Sequence, residues 1–107
     1  MDQENCMRRI KVFKLGGHTI KIKYVKTVRC HETGQEIFGN CNPMTNEIHI
    51  ATYLNGTKLN EDVVRHSLAH ERVHYMLILM NQSELNNNEA FVDIVGMFLH
   101  QYDETKK

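Results

Sequence analysis

Two histidines four residues apart, with a glutamate beside the first, are the groups in this 107-residue chain best suited to chemistry: His70-Glu71-Arg72-Val73-His74. On an α-helix, positions i and i+4 lie one turn apart on the same face, so both imidazoles can address one cation. Glu71 stands about 100° around the helix from His70. From there it reaches a water on that cation without lying in the ligand direction, which suits a general base. The expected cation is Zn2+, whose catalytic sites use three protein ligands and keep a fourth position for water.

The third ligand is sought downstream. Glu89 and Asp93 share one face of a second expected helix, and the pair is the best candidate completion, one carboxylate as ligand and the other as its support. Gly96 falls on much the same side, where a missing side chain lets two helices approach closely. Phe91, Val95, Phe98 and Tyr102 form an apolar stripe expected to face the core. His66 also lies four residues before His70, but eight residues at 1.5 Å rise set it about 12 Å from His74, too far for one coordination sphere. It is expected to be a partly exposed helix residue.

His70-Glu71-Arg72-Val73-His74 followed by Asn88-Glu89-Ala90-Phe91-Val92-Asp93 resembles the gluzincin metallopeptidases, the thermolysin-like class. That resemblance implies a zincin-like minimal catalytic domain in which His70, His74 and Glu89 bind zinc, Glu71 is the catalytic base and Asp93 orients a ligand histidine. The chain looks most like the minimal gluzincins and small phage or prophage HExxH domains, and the implied substrate is a peptide or protein. In such enzymes an edge strand before the zinc helix holds the extended substrate; Glu47 to Ala51 resembles it, and an ordinary interior strand is the equal alternative. The interval from His74 to Glu89 is much shorter than in thermolysin. No second domain supplies the His and Tyr that stabilise the oxyanion there. Tyr53, His49, His100 and Tyr102 are the candidates here, and no spacing separates them.

Other readings stay open. Metzincins need HExxHxxGxxH, and Leu77 and Met80 stand at the glycine and histidine positions, which excludes them. A deformylase-like amidase would recruit Cys30 as a ligand. A non-catalytic, zinc-stabilised binding module would close the coordination with His31, Cys41 or His100. A metal-free fold would leave His70 and His74 as ordinary helix residues.

Composition narrows the setting. Formal net charge is zero, so nothing in the total calls for nucleic acid or an anionic membrane. Residues 1–30 nevertheless carry eight Lys and Arg, Arg8, Arg9, Lys11, Lys14, Lys21, Lys23, Lys26 and Arg29, against Asp2 and Glu4. A solvated sheet face accounts for them better than a basic groove. Cys6, Cys30 and Cys41 are odd in number and lack a CxxC pair, which fits reduced thiols in a cytoplasmic protein. No apolar stretch approaches membrane-span length.

The elements that must position the motif follow from patterning, and one domain over residues 1–107 is expected. Ile10 to Val28 is β-branched, aromatic and lysine-rich around Gly16-Gly17, which predicts a hairpin pairing Leu15 with His18, Phe13 with Ile20 and Lys11 with Ile22. Phe13, Leu15, Ile20 and Ile22 then share the apolar face. Short strands are expected near Ile37-Phe38 and over Glu47 to Ala51, with Gly39 to Asn46 as the loop between them. Asn60 predicts the cap of the zinc helix, about 60–80. Asn81 to Asn88 reads as a connector, and the second helix as about 88–102. The fold class is α+β: a small, mostly antiparallel sheet over about 10–51 followed by two packed helices.

Overall fold

The structure, a computed structural model, describes residues 9–107; Cys6, Arg8, Asp2 and Glu4 lie outside them. The chain is α+β, with a mostly antiparallel sheet followed by helices. β1 (Val12–Leu15) and β2 (His18–Val25) form the expected hairpin. Gly16 and Gly17 take φ of 55° and 83°, the positive values its two-residue turn demands. Phe13 opposes Ile20, Leu15 opposes His18, and the Ile22 amide donates to the Lys11 carbonyl. Ile20 and Ile22 are buried, while Lys11, Lys14, Lys21, Lys23 and Lys26 are exposed, so the basic stretch lies on the wet side.

After β2 come two short pairs, β3 (Val28–Arg29) with β4 (Glu36–Ile37), and later β7 (Tyr53–Leu54) with β8 (Thr57–Lys58). Between them β5 (Gly39–Asn42) and β6 (Glu47–Ala51) join the hairpin in one four-stranded sheet of order β1-β2-β6-β5. Two of its pairings are antiparallel, and β2 with β6 is parallel. The expectation of a loop over Gly39 to Asn46 is corrected at its first half. Asn and Gly are poor strand formers, but β5 is fixed by its register against β6, a long-range gain that local propensity does not contain. The edge strand is also corrected. Glu47–Ala51 is interior, paired on both sides, and β5 ends the sheet among the described residues.

Helix α1 (Glu61–Leu79) starts where Asn60 caps it, its side chain accepting from the Val63 amide at 2.9 Å. Glu61 and Asp62 stand in the first turn, where the helix dipole favours them. Asn81 closes it at φ 61°, with the Gln82 amide returning to the Leu77 carbonyl. The connector holds one helical turn, α2 (Ser83–Asn86), and Asn88 caps α3 (Glu89–Thr105).

α1 has two apolar faces. Val64, Leu68 and Tyr75 pack on Ile20, Ile22, Ile48 and Ile50 of the sheet, and the buried Tyr75 hydroxyl donates to Asn46 Oδ1. Val73 and Leu77 meet Val92 of α3, with Val95 and Leu99 alongside. Here the expected stripe is corrected. Phe91, Phe98 and Tyr102 face outward, and only Val95 of the four packs inward. The reason is Gly96: a Cβ there would stand 3.1 Å from His70 Cα, so α3 lies on α1 through its smallest residue. Its bulky side chains are turned away.

Candidate metal centre

The α1–α3 contact sets the centre. His70 and His74 sit one turn apart on α1 with ring centroids 4.9 Å apart and planes at 69°. Glu89, in the first turn of α3, reaches both: Oε1 lies 3.3 Å from His70 Nε2, and Oε2 lies 3.5 Å from His74 Nε2. Among the described residues, these three form the group whose ligand atoms all lie within 4.8 Å of one another, and they could hold a metal ion. Donors about 2.0–2.2 Å from a tetrahedral ion stand about 3.3–3.6 Å apart, and Glu89 comes that close to each histidine, through a different oxygen in each case. Glu89 is largely exposed and the histidines half-buried, leaving the centre open on one side.

The remaining ring nitrogens are addressed by neighbours. His74 Nδ1 donates to Asn86 Oδ1 at 2.7 Å, and its Nε2 is turned towards Glu89. His70 Nδ1 stands 3.5 Å from Asp93 Oδ1. The same oxygen lies 3.9 Å from His66 Nε2, which is buried without a hydrogen-bond partner among the described residues. His66 stacks on His100, whose Nε2 meets Asp62 Oδ1 at 2.9 Å. A ladder of imidazoles and carboxylates thus runs along the α1–α3 seam, and the metal-competent trio occupies one end.

Glu71 projects to the sheet side of α1 and is only 8% exposed. Burial raises its carboxyl above the usual carboxylate range, against the opposing pull of a hydrogen bond from Cys41 and the nearby His74 and His70. The Cys41 thiol, on β5, stands 3.1 Å from both Oε1 and the carbonyl oxygen of Glu71 and can donate to either. Burial and the facing Glu71 carboxylate push that thiol far up. Two residues away, Gly39 brings the strand against α1: a Cβ there would meet His49 O at 2.8 Å and Glu71 Cγ at 3.3 Å.

No family model, curated protein or solved structure matches this chain.

A cleft of about 620 Å3 opens over the trio. β5 forms one wall, α1 the floor, and Asn86, Glu89 and Asp93 the far side, with apolar Ile37, Phe38, Val63 and Ile78 between the polar groups. The sequence-predicted site residues His70, Glu71, His74, Glu89 and Asp93 all line it. Several alternatives do not. Cys30 and His31 stand at the turn between β3 and β4, while His49 pairs with Glu47 and Tyr53 with Lys26. His100 and the exposed Tyr102 also lie outside the cleft lining. Cys41 lines the cleft but contacts Glu71, and it is not part of the trio.

The part Asn86 plays, and the contact of Cys41 with Glu71 in place of the coordinating role the sequence offers for it, are not legible in the sequence. Asn86 belongs to a run of asparagines read as a connector, and nothing in its local pattern sets it apart from Asn87 and Asn88. Cys41 carried a signal only through its place in the chain, since β5 was not foreseen as a strand.

Proposed function

We propose that the chain is a zinc-dependent peptidase of the gluzincin-like type, using Glu71 as general base. The observation that carries this reading is the convergence of His70, His74 and Glu89, with ligand atoms within 4.8 Å of one another, on an open cleft with a buried glutamate beside them. The donor set fits Zn2+: two imidazoles and a carboxylate with an open side, each imidazole addressed through its other nitrogen. Zinc bound there supplies Lewis acidity, activating a water and polarising a carbonyl.

The chain's own residues do the rest. Glu71 accepts the proton from the attacking water and returns it to the leaving amine, a role served by its buried position and raised proton affinity. Asp93 and Asn86 hold the imidazoles in orientation. An extended peptide is positioned by β5, because the Ala51 amide pairs with the Phe38 carbonyl. In an antiparallel ladder, Phe38, Asn40 and Asn42 then bond to β6, and Gly39 and Cys41 turn their N–H and C=O groups to the open edge. That edge borders the cleft.

A second reading, a zinc-stabilised binding module, draws on one observation: Tyr53, His49, His100 and Tyr102 all lie off the cleft. Zinc-loaded wild type and Glu71→Gln, incubated with a peptide library and read by mass spectrometry, separate the two. The peptidase reading expects cleavage by wild type and a loss of about 10²–10⁴-fold in the variant. Absent or equal cleavage overturns it.

A further inference from the structure

α3 carries a second surface, and it faces away from the cleft. Phe91, Ile94, Met97, Phe98 and Tyr102 are 36%, 50%, 46%, 60% and 65% exposed. At about 100° per residue they fall within one stripe of the helix. The four carboxylates of α3 are all spent on α1. Glu89 and Asp93 address His70 and His74 or His66, Asp103 pairs with Arg72 at 2.7 Å, and Glu104 pairs with Arg65 at 3.1 Å. The stripe itself therefore carries no ionised side chain, and Lys106, just beyond α3, touches it only over the Tyr102 ring while pairing with Asp103; an exposed apolar surface of this kind marks a contact site.

We propose that this stripe is a homodimer interface, in which α3 of one protomer packs antiparallel on α3 of a second copy. Size supports that occupant. Taking roughly 150–250 Å2 for a whole aromatic side chain, the five residues expose on the order of 500 Å2 of largely apolar surface. A standard interface buries about 800 Å2 per partner, and a homodimer interface is about 65% apolar. The stripe therefore supplies the apolar part of such an interface, with Gln101 and Thr105 as exposed polar positions within it towards its C-terminal end.

The order of residues supports a two-fold axis. An isologous contact needs a patch complementary to itself. With the axis near residues 96–97, Phe91 meets Tyr102 of the second copy and Ile94 meets Phe98, so aromatic pairs close both ends and each inner pair sets an aliphatic side chain against an aromatic ring. A membrane surface fits poorly, because the helix has four carboxylates and no Lys or Arg, and Lys106 just beyond it pairs with Asp103. Glu89 points nearly half a turn from the stripe centre, so the pairing leaves the cleft open.

Sedimentation equilibrium of the full chain from about 1 to 200 μM tests this. Wild type is expected at twice the 12.5 kDa chain mass. Phe98→Glu and Ile94→Lys are each expected as monomers with unchanged far-UV circular dichroism and a cooperative thermal transition that no longer depends on protein concentration. An equimolar mixture of the two variants is expected to dimerise again, because residue 94 faces residue 98 across the axis. A monomeric wild type overturns the proposal, as does a dimer that survives both substitutions. A mixture that stays monomeric overturns the antiparallel register. None of these outcomes depends on zinc or on cleavage.

Discussion

Glu71 is held between a strand and a pair of histidines, and the side chains around it differ sharply in accessibility. The Cys41 thiol is buried against its carboxylate, whereas burial scarcely touches Cys30, whose thiol is drawn below its ordinary value by hydrogen bonds from the Thr33 backbone, the Thr33 hydroxyl and the Glu32 backbone. The thiolate is the reactive form. At pH 8, iodoacetamide is therefore expected to label Cys30 well before Cys41, as read by peptide mapping; faster labelling of Cys41 contradicts the buried thiol–carboxylate contact. Asn86 acts on the other side of the centre. Asn86→Ala removes the acceptor for His74 Nδ1, and zinc affinity measured against a competing chelator is expected to fall about 10–100-fold with the fold unchanged. At this scale the histidine pair and Glu71 were legible because a helix converts four-residue spacing into proximity. Asn86 and Cys41 were not, since their partners lie 12 and 30 positions away.

Helices and strands meet at this centre through two glycines. Gly96 admits α3 to the backbone of His70, and Gly39 admits β5 to Glu71. Gly96→Ala places a Cβ 3.1 Å from His70 Cα, against backbone that cannot swing aside. Overpacking of this kind costs about 1–3 kcal/mol. A lowered melting temperature is expected together with weakened zinc binding, because Glu89 rides on the helix that is displaced; unchanged zinc affinity would show that α3 does not set the ligand. The hairpin, its register and both helix caps could be read in the sequence because each is local: two glycines needing positive φ, and asparagines accepting from amides three residues on. β5 and the outward face of α3 could not. Each is decided by what packs on the other side, and the large side chains of α3 gave way to a glycine at the crossing.

Across the whole molecule, the centre joins segments that the hydrophobic core secures only in part. The main core lies between α1 and the sheet, while α3 rests on the smaller cluster of Val73, Leu77 and Val92. A metal bridging α1 and α3 therefore reinforces the weaker seam. Free zinc at about 100 times its Kd adds about 2.7 kcal/mol to stability, so chelation is expected to lower the melting temperature by several degrees, and more in wild type than in His74→Ala. Among the described residues no helix is long and apolar enough to cross a membrane. The most direct test of the centre is zinc-edge X-ray absorption of the stoichiometrically loaded protein. Two imidazoles and oxygen neighbours at about 2.0–2.2 Å are the expected result. A sulfur neighbour at about 2.3 Å, or failure to bind one zinc per chain, would contradict the centre formed by His70, His74 and Glu89.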